Sequence, residues 1–265
     1  MTETVFRTGR RRLFSASPLA DGATELKLDD ASAHYLTRVL RLRPGPAVDV
    51  ADGSGRLWQG ELDDADGAWW LRDLRVIHEE ALGPERVLVA ALLKGDRWEW
   101  MLEKAAELGV STIVPVNAAR SVVTLDAKNQ AKRLSRWTTI VEGAARQCER
   151  LAPVHVEAPT SLEDAIARYP DATRLMLDET TPKNPWSRRL VGKPIVLFVG
   201  PEGGWTDEER ALLRAAPTHA CGLGANVLRA ETAAIAALTI VRALDDELIG
   251  RDAEDEAAPN DNPAL

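Results

Sequence analysis

Cysteine is nearly absent from this chain: Cys148 and Cys221 are the two it has. Two cysteines cannot build a disulfide framework, and neither they nor the four scattered histidines fall at metal-ligand spacing, so no metal centre is expected. Long apolar runs are missing too. None approaches the ~20 residues that cross a bilayer. The N-terminus carries Arg7, Arg10, Arg11 and Arg12 but lacks the apolar core of a secretory signal. A cytoplasmic protein without membrane contact is the expectation. No GxGxxG fingerprint occurs, and no lysine follows a glycine loop in the Walker pattern, which argues against NAD-dependent and nucleotide-hydrolysing enzymes. A basic excess is also lacking. The net charge is -8, which at first sight speaks against an RNA partner.

The distribution of charge changes that view. From Asp245 to Leu265 there are eight acidic residues and one arginine, so this stretch carries -7 of the total and the rest is near neutral. The first 43 residues hold eight Lys/Arg against five Asp/Glu. An acidic tail thus masks a basic front end. The tail has Pro259, Pro263 and no apolar periodicity after Ile249, and residues 251–265 are expected to be disordered.

The apolar fraction of 45% is that of an ordinary folded protein. Residues 1–78 read as a small β-rich domain. Short strand candidates are Val5 to Arg7, Leu13-Phe14, Ala47 to Val50, Leu57 to Leu62 and Trp69 to Ile77. Its one helical pattern, Ala33, Leu36, Val39 and Leu40, follows a capping Asp29 or Asp30. Arg38 and Arg41, three apart, are expected on one face of that helix, either as a solvated surface or as phosphate contacts. Residues 79–86, with Gly83 and Pro84, read as a linker. From Val87 short apolar strands alternate with amphipathic helices through residue 250. That alternation implies an α/β domain with a parallel sheet covered on both faces.

Two loops near the end of this domain stand out. Gly200 to Gly204, GPEGG, follows the β-branched run Ile195 to Val199, and Thr206 with Glu209 forms a capping box that opens a helix at once. Leu223 to Ala233, LGANVLRAETA, follows another short apolar step and runs into an alanine-rich helix. Strand, glycine loop and helix in that order let a ligand approach the main chain closely. Two such loops at neighbouring strand ends would share one crevice. Tight turns alone are the bland alternative, but Glu202, Arg229 and Glu231 are charged residues set among small apolar ones.

At these residues the chain resembles the RsmE-type ribosomal RNA methyltransferases of the SPOUT superfamily. Other segments are similar: KGDRWEWMLEKAAELGV from Lys94, EGAARQCER from Glu142, with Gly143 where the family has Ala, and LMLDE from Leu175. Asn226 stands where the family usually has arginine. The resemblance implies a C-terminal SPOUT-type trefoil-knotted domain over residues 87–250 and an N-terminal PUA-like β-barrel that binds RNA. It implies transfer of a methyl group from S-adenosylmethionine to N3 of a uridine in small-subunit ribosomal RNA, free or in the assembled subunit, by a homodimer. Backbone groups around Leu223, Gly224, Val227 and Leu228 would read the adenine, Leu177 would pack on it, and Val199, Gly200 and Gly203 would border the ribose and amino-acid part. Arg7, Arg10, Arg38, Arg41 and Arg120 would contact RNA.

The chemistry asks mainly for alignment, because a sulfonium is already reactive. The uridine N3–H must be lost, so a base or a group that stabilises the uracil anion is useful. Arg229 can do the latter, or it can pair with a carboxylate. Glu231 or Glu202 can take the proton, or Glu231 can cap the last helix. Ribose 2′-O-methylation of tRNA or ribosomal RNA, and a non-catalytic RNA-binding assembly role, remain open alternatives at this point.

Overall fold

In a computed structural model the described residues are 11–123, 127–181, 186 and 193–245, with backbone only at 127 and 128. The strand expected at 5–7, Arg7 and Arg10, and the acidic tail at 251–265 lie outside them.

The N-terminal part is a five-stranded sheet of β1 (Arg12–Phe14), β2 (Glu25–Lys27), β3 (Ala47–Ala51), β4 (Arg56–Ala65) and β5 (Ala68–Glu79), in the order β1-β3-β4-β5-β2. β1 runs parallel to β3 and the other pairs are antiparallel. Asp66 and Gly67 join β4 to β5, both at positive φ (56° and 74°). That is the two-residue turn whose twist suits a hairpin. Alternate residues of the strands, among them Val48, Val50, Leu62 and Leu71, bury against Leu36.

Leu36 comes from the single helical segment. Asp29 caps α1 (Asp30–His34) by accepting from the Ser32 amide at 2.7 Å. The chain then widens into a π-helical turn over Tyr35–Val39, with the Leu40 amide donating to the Tyr35 carbonyl. Arg41 follows at φ 55°, in the left-handed region. Arg38 and Arg41 therefore do not share a helical face as the spacing predicts. The helix has unwound before Arg41, because pulling Leu36 fully into the core and returning Leu42 to it requires a wider turn than 3.6 residues allows.

The C-terminal part is a six-stranded parallel sheet in the order β11-β9-β10-β6-β7-β8. Its strands are β6 (Arg86–Ala91), β7 (Thr112–Val116), β8 (His155–Val156), β9 (Thr173–Leu177), β10 (Ile195–Val199) and β11 (Thr218–Cys221). Helices α2 (Asp96–Glu107), α3 (Ala127–Gln147) and α6 (Ala230–Asp245) cover one face, and α4 (Leu162–Ala167) and α5 (Asp207–Ala215) the other. Strand period decides which residue meets which layer. On β10, Ile195, Leu197 and Val199 join the first core, while Val196 and Phe198 join the second. Burial on both faces explains why these strands read as unbroken apolar runs.

The two parts meet directly. The Arg12 guanidinium donates to the Arg150 carbonyl at 3.2 Å, the Gly53 amide donates to the Leu151 carbonyl, and Arg146 lies 4.7 Å over the Tyr35 ring. Arg150 in turn donates to the carbonyls of Ala106 and Val110, where α2 ends. Burial lowers the pKa of both Arg12 and Arg150 from the ordinary guanidinium value.

Asp245, counted with the acidic tail from sequence, is the last residue of α6. Its nearly buried carboxylate pairs with Arg86 at 3.0 Å, so it belongs to the fold.

Candidate active site

The carboxyl ends of β9, β10 and β11 lie side by side, and the loops that leave them enclose a cavity of about 210 Å³. Loop Gly200 to Gly204 forms one wall. The Gly204 amide donates to the Pro201 carbonyl at 2.9 Å, closing a tight turn with Gly204 at φ 67°. That left-handed conformation is what asks for glycine here; a β-carbon would also come within 2.9 Å of Glu179 Oε1, the movable end of an exposed side chain. One at Gly200 would press on the ring of the fully buried Trp205 at 3.1 Å. The expected capping box is formed: Thr206 Oγ1 accepts from the Glu209 amide and Glu209 Oε2 from the Thr206 amide.

Leu223 to Leu228 form the opposite wall. They are clasped from behind. At Gly222 a β-carbon would sit 2.6 Å from the Thr181 carbonyl oxygen, and the Trp186 indole donates to the Gly222 carbonyl at 2.9 Å. The chain leaving β11 thus passes tightly against the loop that leaves β9.

All eight residues expected around a cofactor line this one cavity: Leu177, Val199, Gly200, Gly203, Leu223, Gly224, Val227 and Leu228. Glu202 and Asn226 line it as well. Arg229 and Glu231 do not, but they flank the lining residues Leu228 and Ala230. Arg229 is exposed just before α6 and makes no ion pair among the described residues. Glu231 is buried in the first turn of α6, and its Oε2 accepts no hydrogen bond. It stands in the first turn of α6, where the positive end of the helix favours a carboxylate, one residue inside the helix start rather than at the cap position.

Two further arginines bear on the loops. Arg120 is exposed and also holds the glycine loop. Its Nη1 donates to the Gly203 carbonyl at 2.9 Å and its stem packs where a Gly203 β-carbon would be, so it braces the glycine loop. Gly203 is small for Arg120 as much as for any ligand. The other is Arg97, which sequence reasoning missed. From the first turn of α2 it reaches Glu202 Oε1 at 3.3 Å and Glu231 Oε1 at 4.0 Å, so one guanidinium joins both carboxylates. The available signal was its place just after β6, at the same edge of the sheet as the two loops.

Among the described residues, the charged ones that line the cavity are Asp178, Glu179 and Glu202. Burial pushes the Asp178 carboxyl up, but hydrogen bonds from the Thr180 hydroxyl (2.7 Å) and amide (3.0 Å), with Arg210 and Arg214 beside it, outweigh that and hold it below the usual carboxylate range. Burial drives the Cys221 thiol up to about 12, so it stays protonated and is no nucleophile at neutral pH. Among the described residues no cluster could hold a metal ion.

Comparison with known proteins agrees with this geometry. The family model for an RNA methyltransferase domain matches residues 81–242, and that for an RNA methyltransferase PUA domain matches residues 28–67. The chain is 35% identical to ribosomal RNA small subunit methyltransferase E of Synechocystis sp., over 82% of this chain and 72% of that protein. It is 32% identical to the protein of the same name from Mycobacterium tuberculosis, over 88% and 91%. Among solved structures, a ribosomal RNA small subunit methyltransferase E from Neisseria gonorrhoeae bound to S-adenosyl methionine superposes with a TM-score of 0.74 at 30% identity, covering 88% of this chain and 97% of that one. The expected architecture, a SPOUT-type parallel α/β domain with a small PUA-like sheet before it, is the one observed. On sequence, sheet order and site together, the chain belongs to the RNA methyltransferase family.

Proposed function

We propose that this chain transfers a methyl group from S-adenosylmethionine to N3 of a uridine in small-subunit ribosomal RNA. One observation carries the reading: the eight residues expected to bind the cofactor, scattered from 177 to 228, converge on one cavity. Gly200, Gly203, Gly204, Gly222 and Gly224 border the cavity, so a ligand can come close to the main chain there. Open space meets Gly224, where nothing lies within 4 Å of a β-carbon position.

When bound, the cofactor supplies an electrophilic methyl group. The protein's part is alignment and charge. Backbone groups of the two loops, with Leu177 beside them, would hold the cofactor. Arg229, exposed between the cavity-lining Leu228 and Ala230, stabilises the negative charge that grows on a uracil carbonyl oxygen as the N3 proton leaves. Glu231 and Glu202 are the candidate proton acceptors, and Arg97 holds the pair in register. Residues 1–78 present the RNA, 79–86 connect, and 87–250 carry the chemistry, in a homodimer whose substrate is ribosomal RNA or the small subunit.

The test is mass spectrometry of ribosomal RNA nucleosides from a strain lacking this chain. Loss of one N3-methyluridine, restored by the purified protein with S-adenosylmethionine, is expected. An undiminished complement refutes the reading, and a lost 2′-O-methyl nucleoside reassigns the product.

A further inference from the structure

A second concavity lies on the N-terminal sheet, away from the glycine loops. It measures about 450 Å³ and is lined by Ala33, His34, Thr37, Arg38, Leu42, Arg43, Pro44 and Trp69. That volume is within the roughly 300–1,000 Å³ of small-ligand sites. The unusual backbone described above builds it. Arg38 lies in the π turn, Arg41 beyond it takes a left-handed conformation, and Arg38 and Arg43 both line the concavity. A π turn followed by a non-glycine residue at positive φ is uncommon, and such strain concentrates where a ligand is held.

The chemistry of the lining is specific. Arg38 and Arg43 are exposed and make no hydrogen bond or ion pair among the described residues. Among the described residues, no acidic one lines the concavity. Thr37 donates its hydroxyl hydrogen to the Ala33 carbonyl at 2.8 Å, leaving its oxygen as an acceptor. Trp69 and Trp70 point to opposite faces of β5 and have different surroundings. The Trp70 ring is covered by Arg72 at 4.5 Å and Lys27 at 6.0 Å. Trp69 is half-buried, lines the concavity, and is covered by no cation among the described residues.

We propose that this concavity seats one unpaired nucleotide of the RNA, its base stacked on Trp69 and its flanking phosphates held by Arg38 and Arg43. Two free guanidiniums at the rim of an aromatic-floored hollow suit a single-stranded base with its backbone. A paired base has no exposed face to offer Trp69. The inference rests on the RNA-methyltransferase reading for its partner and adds which form of RNA the N-terminal sheet selects.

The experiment uses the full chain with two probes at matched length, a short oligouridine and a perfectly paired RNA duplex, read by fluorescence polarisation over a salt series. Tighter binding of oligouridine is expected. Trp69→Leu should weaken it by roughly 5- to 150-fold, the range for losing one stacked base, while leaving the duplex unchanged and Trp69→Phe close to wild type. The double variant Arg38→Gln, Arg43→Gln, both on the surface, should weaken both probes and lower the salt slope by about 1 per lost phosphate contact. Wild-type oligouridine affinity in Trp69→Leu at an unchanged melting temperature overturns the proposal. If Trp69→Leu does not fold, wild-type affinity in the arginine double variant overturns it instead. Cofactor calorimetry on the same samples separates the readings. An absent heat with S-adenosylmethionine sinks the enzymatic one and leaves the oligouridine comparison intact.

Discussion

Gly222→Ala tests the passage that shapes the cavity. The substitution asks nothing of the backbone, since Gly222 is not in the left-handed region. It adds one methyl group, 2.6 Å from the Thr181 carbonyl oxygen. Carbon–oxygen contacts settle at roughly 3.3 Å or more, so the two chain segments must part by about 0.7 Å. Overpacking of this kind costs about 1–3 kcal/mol, and the Trp186 indole bond to the Gly222 carbonyl adds to the strain as the carbonyl moves. For a chain of this size each kcal/mol shifts the melting temperature by about 2–4 °C, so a fall of about 2–12 °C is expected. The moving segment leads straight into Leu223 to Leu228, one wall of the cavity. Titration calorimetry with S-adenosylmethionine should therefore show affinity down by about tenfold or more, equivalent to about 1.4 kcal/mol. A variant with wild-type affinity would show that this passage does not set the wall.

Further outcomes are expected elsewhere. Gly143→Ala lies on the exposed face of α3 with nothing within 4 Å of the new carbon, so it should stabilise the fold by about 0.5–1 kcal/mol, seen as a higher melting temperature. Arg229→Ala should keep cofactor affinity in calorimetry while methylation falls by roughly 100- to 1,000-fold; full activity removes Arg229 from the mechanism. Arg97→Gln should release Glu202 and Glu231 and lower turnover by up to about a hundredfold with folding intact, measured by single-turnover assay. Asp178 and Asp52 are both held below the usual carboxylate range, so the stability they confer is present at neutral pH and is lost as pH falls through their lowered values. Urea unfolding from pH 7 down to pH 3 should show that loss, and Asp178→Asn with Asp52→Asn should flatten it.

What could be read from the sequence was local or periodic. The Thr206–Glu209 box, the alternation of strands and helices, and the two glycine loops each announce themselves within a dozen residues. The face of α2 carrying Trp98, Met101, Leu102 and Ala105 is likewise plain from its spacing, and all four are buried. What could not be read depends on contacts distant in sequence. Arg97 meets Glu202 from 105 residues away, and Arg86 meets Asp245 from 159. No periodicity distinguishes these arginines from solvated ones. The turn after His34 defeated spacing for another reason. Apolar residues at helical intervals predict a helix, but Val39 remains exposed because the chain widens to serve Leu36. Arg120 was placed on the correct edge of the sheet, yet its role as a brace depends on the glycine loop folding against its stem.

The carboxylates of the cavity show how the domain makes a rigid site from mobile-looking motifs. Glycine-rich loops have little side-chain packing to fix them, so position must come from elsewhere. Each lining carboxylate is held from outside the cavity: Glu202 by Arg97 of α2, Glu179 by Arg210 of α5, and Asp178 by Arg210 and Arg214 of α5. Arg210 also donates to the Trp205 carbonyl at 2.6 Å, so one side chain fixes the end of β9 and the start of α5 together. The two helices lie on opposite faces of the sheet. The loops are thereby pulled from both sides, and each of these carboxylates is paired with an arginine carried on a helix outside the glycine loops. On this logic α2 and α5 are as much a part of the site as the motifs that identify it.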